Sequence, residues 1–266
     1  MTTGDRRDSR IGLKLWSRNV DLAERAAALC AEGWIHFIEL YVVPETIDST
    51  LGVWRGLNVP FMLHCPHAAH KFNLAKAELF DANVLKFAEV QRFANALHAS
   101  VIVMHGGNRG EIDETIRQLR HLNDGRIYLE NKPKVSLTGG LCIGHSPEQV
   151  AQILAAAELT GFVLDFSHAT CAANSAGVDP LDYVGRFMGL QPSIFHIGDG
   201  DRASEKDTHL NLGEGSFDIP RLLSFVPANA SVTIETPTDL TLGLTDFVAN
   251  VRCLRQALEE SMKVTE

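Results

Sequence analysis

Short apolar runs rich in β-branched residues alternate with longer segments of helical period, eight times along the chain. The runs at 11–16, 36–41, 60–64, 101–105, 126–130, 162–166, 193–196 and 231–235 predict strands. Between them, 21–32, 45–55, 76–98, 111–122, 147–159, 179–187 and 219–225 predict helices, with a last one over 245–261. In the long third helix, Leu79, Val84, Leu85, Phe87, Ala88, Val90, Phe93, Ala94 and Leu97 recur at helix-like, imperfect spacing. Ser146-Pro147 supplies an N-cap followed by proline at the first helical position, and Asp218 precedes Ile219-Pro220 in the same way.

Residues 101–104 read Val-Ile-Val-Met, apolar throughout, as parallel strands covered on both faces must be. Eight strict β-then-α units predict an α/β fold, a single (β/α)8 TIM barrel, rather than an open doubly wound sheet. No GxGxxG follows the first strand and no phosphate-binding P-loop is present. A length of 266 residues is close to the roughly 250 of such a barrel, and residues 1–266 are expected to form one domain.

Composition narrows the class. Hydrophobic residues make up 45% and charged residues 21%, enough apolar material for a large core. No apolar run approaches the roughly 18 residues that span a bilayer. Residues 1–10 are polar and charged, so no secretory signal is expected. The five cysteines are scattered without CxxC spacing, which predicts reduced thiols in a cytoplasmic protein. Neither a membrane nor an obligate protein partner is expected. A net charge of −9 argues against a protein that coats nucleic acid electrostatically, but not against an enzyme whose bound metal engages a phosphate.

The polar residues carry the chemistry. Strand after strand ends in a histidine or a carboxylate: His64, His105, Glu130, Asp165, His196 and Glu235. His168, Asp207 and His209 lie just beyond strand ends. In a barrel all these ends face one mouth, where active sites are built. Any one such histidine would pass as a hydrogen-bonded structural residue. Nine converging ligand types would repel and stay unsatisfied without cations. At roughly four donors per ion, nine ligands with one bridging carboxylate suit about three ions. Imidazoles and carboxylates without thiolates suit Zn2+, with Mn2+ or Fe2+ as further candidates. Such multi-metal sites are suited to hydrolysis of phosphoesters. The remaining histidines, His36, His67, His70, His98, His121 and His145, read as surface or supporting residues.

Seven segments, LHCPH with FNLA (63–67, 72–75), VMHGG (103–107), LEN (129–131), LDFSHA (164–169), FHIGD (195–199), DTHLNLGEG (207–215) and IETP (234–237), resemble the endonuclease IV group of the xylose isomerase-like TIM barrels. The resemblance spans most of the chain, and DTHLNLGEG is its most specific part. It implies a first metal on His64, His105 and Glu130. Glu130 would bridge to a second on Asp165, His196 and Glu235, and a third would take His168, Asp207 and His209. It also implies cleavage of the phosphodiester 5′ to an abasic DNA site by a metal-bridging hydroxide, with Glu130 and Glu235 as catalytic residues.

The sequence departs from that group where the group grips DNA. The loop after the second strand, VVPETIDST, has neither the arginine nor the glutamine expected there. Thr208 replaces an arginine, and His67 stands where tyrosine is usual. Ile38-Glu39-Leu40 resembles a segment of the sugar isomerases and epimerases, which need one metal on Glu130, Asp165, His196 and Glu235. Lys14 is placed to hold a phosphate or carboxylate, with Glu39 as a second substrate contact or as its structural partner. The expected partner is therefore abasic DNA or a small phosphorylated or sugar-like substrate. Hydrolysis is favoured over isomerisation by the five further ligand types, and a catalytically silent metal-binding barrel is the third reading.

Overall fold

The computed structural model describes residues 9–159, 161–237 and 240–263. Residues 1–8, the larger part of the polar opening segment, lie outside the described residues. Eight parallel strands close in sequential order into a barrel. They are β1 (Arg10–Trp16), β2 (Phe37–Tyr41), β3 (Phe61–His64), β4 (Ile102–His105), β5 (Ile127–Glu130), β6 (Gly161–Asp165), β7 (Ile194–Ile197) and β8 (Ser231–Ile234). The helices are α1 (Ala23–Ala31), α2 (Ile47–Arg55), α3 (Phe80–Ala96), α4 (Ile112–Leu122), α5 (Pro147–Ala156), α6 (Phe166–Ala176), α7 (Pro180–Met188), α8 (Ile219–Leu223) and α9 (Thr245–Lys263). The expected (β/α)8 barrel is the fold observed. Among the described residues no helix is long and apolar enough to cross a membrane.

The two-residue period of a strand sends alternate side chains inward and outward. Outward residues such as Leu13, Leu40, Leu63, Ile102, Leu129, Leu164 and Phe195 join the helices in one large core. The inward set is a separate, small apolar cluster of Val101, Val103, Val163 and Ile194, with Met62 and Tyr128 against it. Two glycines make that interior possible. A Cβ on Gly12 would lie 2.3 Å from the Phe37 ring, and one on Gly161 would lie 2.2 Å from the Tyr128 ring. Each glycine is paired in register with the aromatic residue it admits, so both rings fold across the barrel floor. Polar residues occupy the other end of the same inward rows.

Caps form where the sequence places them: Ser146 accepts from Gln149 N and Asp218 from Arg221 N. The helix expected over 76–98 begins with a turn of 3-10 helix at Ala77–Leu79 before α3. Leu85, counted on its apolar face, is 74% exposed instead. The main departure is α6, which the sequence pattern does not predict. The pattern ends the sixth strand at Phe166, but this residue opens the helix. Asp165 closes β6 and at once caps α6, its carboxylate accepting from His168 N at 2.7 Å. Gly177, at φ +68°, ends the helix.

One ion pair fixes the approach to β5. Asp124 accepts from Arg126 N (3.0 Å), Nε (2.9 Å) and Nη2 (2.7 Å), and from Gln91 Nε2 (3.0 Å). The hydrogen bonds from Arg126 outweigh burial and bring the Asp124 carboxyl down to about 2. A carboxyl depressed on folding stabilises the fold above its unfolded pKa and loses that contribution as pH falls through the folded value. Asp124→Ala should therefore cost about 2 kcal/mol at neutral pH. The gap to wild type should narrow below about pH 4. Urea unfolding at several pH values measures it, and a gap of undiminished size at pH 3 would contradict this account.

Candidate metal centre

All six strand-end residues reach the mouth. His64, His105, Glu130 and Asp165 end β3, β4, β5 and β6, His196 sits in β7, and Glu235 follows β8 directly. Their potential ligand atoms fall into groups in which every atom lies within 4.8 Å of the others. One group is His64, His105 and Glu130. A second is Glu130, Asp165, His196 and Glu235. A third is His168, Asp207 and His209. Glu130 is common to the first two groups, and its Oε2 also lies 3.8 Å from His196 Nδ1. Oε2 lies 3.1 Å from His64 Nε2 and 2.9 Å from His105 Nε2, whereas Oε1 lies 3.0 Å from His168 Nδ1.

The rings are held from behind. A carbonyl can only accept, so a ring nitrogen bonded to one must carry the hydrogen and leave the other nitrogen bare. His64 Nδ1 donates to Cys65 O (2.7 Å), His168 Nδ1 to Asn131 O (2.9 Å) and His209 Nδ1 to Glu235 O (3.2 Å). In each case Nε2 is left facing the cluster. His196 is turned the other way: Nε2 bonds Glu39 Oε2 at 2.9 Å and Nδ1 faces inward. The same Glu39 oxygen accepts from Thr233 Oγ1 at 2.7 Å. Glu39 is fully buried against His196, and it also forms a fourth close group of possible ligand atoms with His64 and Glu235. Lys14 lines the cavity above the site. Its ammonium contacts Glu235 and lies 3.5 Å from Glu39.

Two supports were not legible in the sequence. Asn131, in the LEN segment, bridges β5 to β6 by donating to Asp165 O (2.9 Å) and accepting from Asp165 N (2.8 Å). Asp199, in FHIGD, accepts from the backbone amides of Gly200, Gly213, Gly215 and Phe217 at 2.8–3.2 Å. Residues 199 and 210 also form an antiparallel bridge. The loop that carries Asp207 and His209 is thus tied at both ends to one buried carboxylate. His67 faces the cavity beside Tyr41 and His105 and is not a plain surface residue. Burial and the neighbouring cationic groups bring its pKa down to about 3.

The electrostatics call for positive charge. Burial pushes the Asp165 carboxyl up to about 6, against the pull of His168 and with Glu235, Asp207 and Glu130 adding to the rise. Burial opposes a proton on His168, but Asp165, Asp207 and Glu130 prevail and push it up to about 10. His196 is raised in the same way, with Glu39 and Glu235 overcoming burial. Lys14 is raised too, since Glu235, Glu39 and Glu130 overcome its burial. His105, by contrast, is lowered chiefly by burial, despite Glu130.

Among the described residues, six buried side-chain atoms have no hydrogen-bond partner: Glu39 Oε1, Glu130 Oε1, Asp165 Oδ2, Ser167 Oγ, His196 Nδ1 and Asp207 Oδ2. Five of them belong to this cluster. Buried polar atoms are rarely left unpaired, and here they converge with their lone pairs on shared points. His196 Nδ1 lies 2.6 Å from Glu235 Oε1, so the two meet only if a proton or a cation lies between them. The residues therefore suit divalent cations, held by nitrogen and oxygen donors without thiolates. Above them opens a cavity of about 770 Å³, walled by Lys14, Trp16, Tyr41, His67, Lys132 and the 136–138 hairpin tip, among others.

A probable endonuclease 4 from Pediococcus pentosaceus is 28% identical over 172 residues, 59% of this chain and 58% of the relative's own length. The crystal structure of endonuclease IV from Thermus thermophilus superposes with a TM-score of 0.67 at 23% identity, covering 94% of this chain and 99% of that one. A D-tagatose 3-epimerase-like protein superposes at 0.73 with 19% identity, covering 97% and 100%. At these identities the two structural likenesses carry the fold, and both follow the same closed barrel. Residues 23–257 match the family described as xylose isomerase-like TIM barrel, and the chain belongs to that family.

Proposed function

We propose that the protein is a metal-dependent hydrolase of phosphoester bonds, of the endonuclease IV kind, using Zn2+ in preference to Mn2+ or Fe2+. The observation that carries this reading is the third donor group, His168, Asp207 and His209, beside the two that share Glu130. An isomerase with one ion needs no such group. Divalent ions held together at such a site supply an activated water and offset charge on the attacking and leaving oxygens. The chain's own residues do the rest. Glu130 is common to two donor groups, and the backbone carbonyls and Glu39 hold the imidazoles in the tautomer that offers a bare nitrogen. Lys14, on the cavity wall beside Glu235, holds an anionic group of the substrate. Asp199 keeps the 207–209 segment in place.

The rim favours small phosphoesters over duplex DNA. Thr208 is exposed at the edge of the site and brings no charge, and the chain carries a net −9. Phosphate contacts from Lys and Arg supply much of DNA affinity. The protein should carry more than one divalent ion per chain by elemental analysis. It should hydrolyse a small activated phosphodiester faster, relative to abasic-duplex nicking, than an endonuclease IV does. One ion or fewer at saturation, no phosphoester turnover and interconversion of ketose or aldose sugars would hand the site to the epimerase reading. Efficient nicking of abasic duplex at physiological salt would instead establish DNA as the substrate.

Glu130→Gln removes charge from two donor groups together. It should lower phosphoester turnover by about a hundredfold or more and reduce bound metal. His121→Ala, exposed on α4 against Phe80, should leave both unchanged. Near wild-type turnover in Glu130→Gln with metals still bound would refute the bridging role.

A further inference from the structure

The mouth holds a cationic group that the nine-residue donor set does not use. Lys132, two residues past the end of β5, reaches over the cavity and places Nζ 3.0 Å from His168 Nε2. The other ring nitrogen is committed to Asn131 O, so Nε2 is the place where a proton, the ammonium and a metal ion compete. Asp207 Oδ2 lies 3.3 Å from the same Nε2 and 2.9 Å from His209 Nε2. Asp207 is 6% exposed, and this oxygen has no hydrogen-bond partner. Three inward-facing atoms thus outline a seat for positive charge, and the ammonium of Lys132 stands against it. An ammonium has donors and no lone pair, so it can contend with a metal ion for Nε2 but cannot share an ion with it.

Charge points the same way. Glu39, Glu130, Asp165, Asp207 and Glu235 carry five negative charges when ionised, and Lys14 and Lys132 return two. Two divalent ions would leave the cluster with one positive charge, whereas a third beside the Lys132 ammonium would leave three in a largely buried space, where unbalanced charge is costly.

We propose that Lys132 is a built-in cation of the His168–Asp207–His209 seat, so that the chain holds two divalent ions tightly and a third only by displacing the ammonium. The inference rests on reading these residues as metal donors. It adds that occupancy of the third seat is set by a side chain of this protein. A substrate anion able to draw the Lys132 ammonium away would open that seat.

Metal-stripped wild type, Lys132→Met and Lys132→Arg, titrated with Zn2+ by calorimetry and assayed for metal after dialysis against a weak chelator, test this without reference to activity. Wild type and Lys132→Arg should retain two ions per chain. Lys132→Met should retain three, the third bound about tenfold or more tightly than in wild type, the scale of relieving one charge repulsion at close range. Lys132→Gln serves if the Met variant fails to fold by circular dichroism. Three ions of equal affinity in wild type would overturn the proposal without any variant, as would identical titrations of wild type and Lys132→Met. Absence of divalent binding in every form would overturn it together with the hydrolase reading, which separates the two failures.

Discussion

Everything at the mouth answers to one constraint: five carboxylates are buried together where water cannot solvate them. Glu39, Glu130 and Asp165 are fully buried, and Asp207 and Glu235 are at most 9% exposed. Isolated ionised carboxylates in such a setting are strongly destabilising unless paired. The molecule meets the demand with what it has. Lys14 leans on Glu235, imidazoles approach every carboxylate in the cluster, and Lys132 closes on His168. These contacts leave oxygens unpaired, and the unpaired oxygens mark where positive charge is missing. The elevated His168 and His196 and the elevated Asp165 are two responses to that shortage, one by gaining positive charge and the other by losing negative charge.

The ring of strand-end residues was legible because a closed parallel barrel turns sequence position into spatial position. Once eight units were counted, His64, His105, Glu130, Asp165, His196 and Glu235 had to share one face. Helix α6 was not legible for a local reason. Its residues after Phe166 are Ser, His, Ala, Thr, Cys, Ala, Ala, Asn, Ser and Ala, too small and too mixed to show an apolar stripe of helical period. No loop separates it from β6, since Asp165 ends one element and caps the next. The fixing of the imidazoles was hidden as well, because three of the partners are backbone carbonyls, which leave no trace in residue identity. Asp199 shows the converse difficulty. It follows a strand as the donors do, yet both its oxygens are committed to amides. Only geometry separates a carboxylate that gathers amides from one that awaits a cation.

Asp165 also joins local structure to the site. Its Oδ1 receives the His168 amide in the first turn of α6, and its Oδ2 is left bare toward the donor cluster. The three-residue step from cap to His168 is the spacing that N-capping imposes, so a contact needed to start the helix fixes where the third donor group begins. Asn131 completes the link, holding the backbone of Asp165 with its side chain while its carbonyl orients His168. The segment LEN is therefore a joint between two donor groups as much as the bearer of one ligand.

At the opposite end, the Phe37 and Tyr128 rings lie over Gly12 and Gly161 and the barrel interior is packed with Val101, Val103, Val163 and Ile194. The vessel therefore has one door. Whatever reaches the donor cluster passes Lys14, Tyr41 and the 136–138 tip, so an anionic group meets the same ammonium on its way in and on its way out.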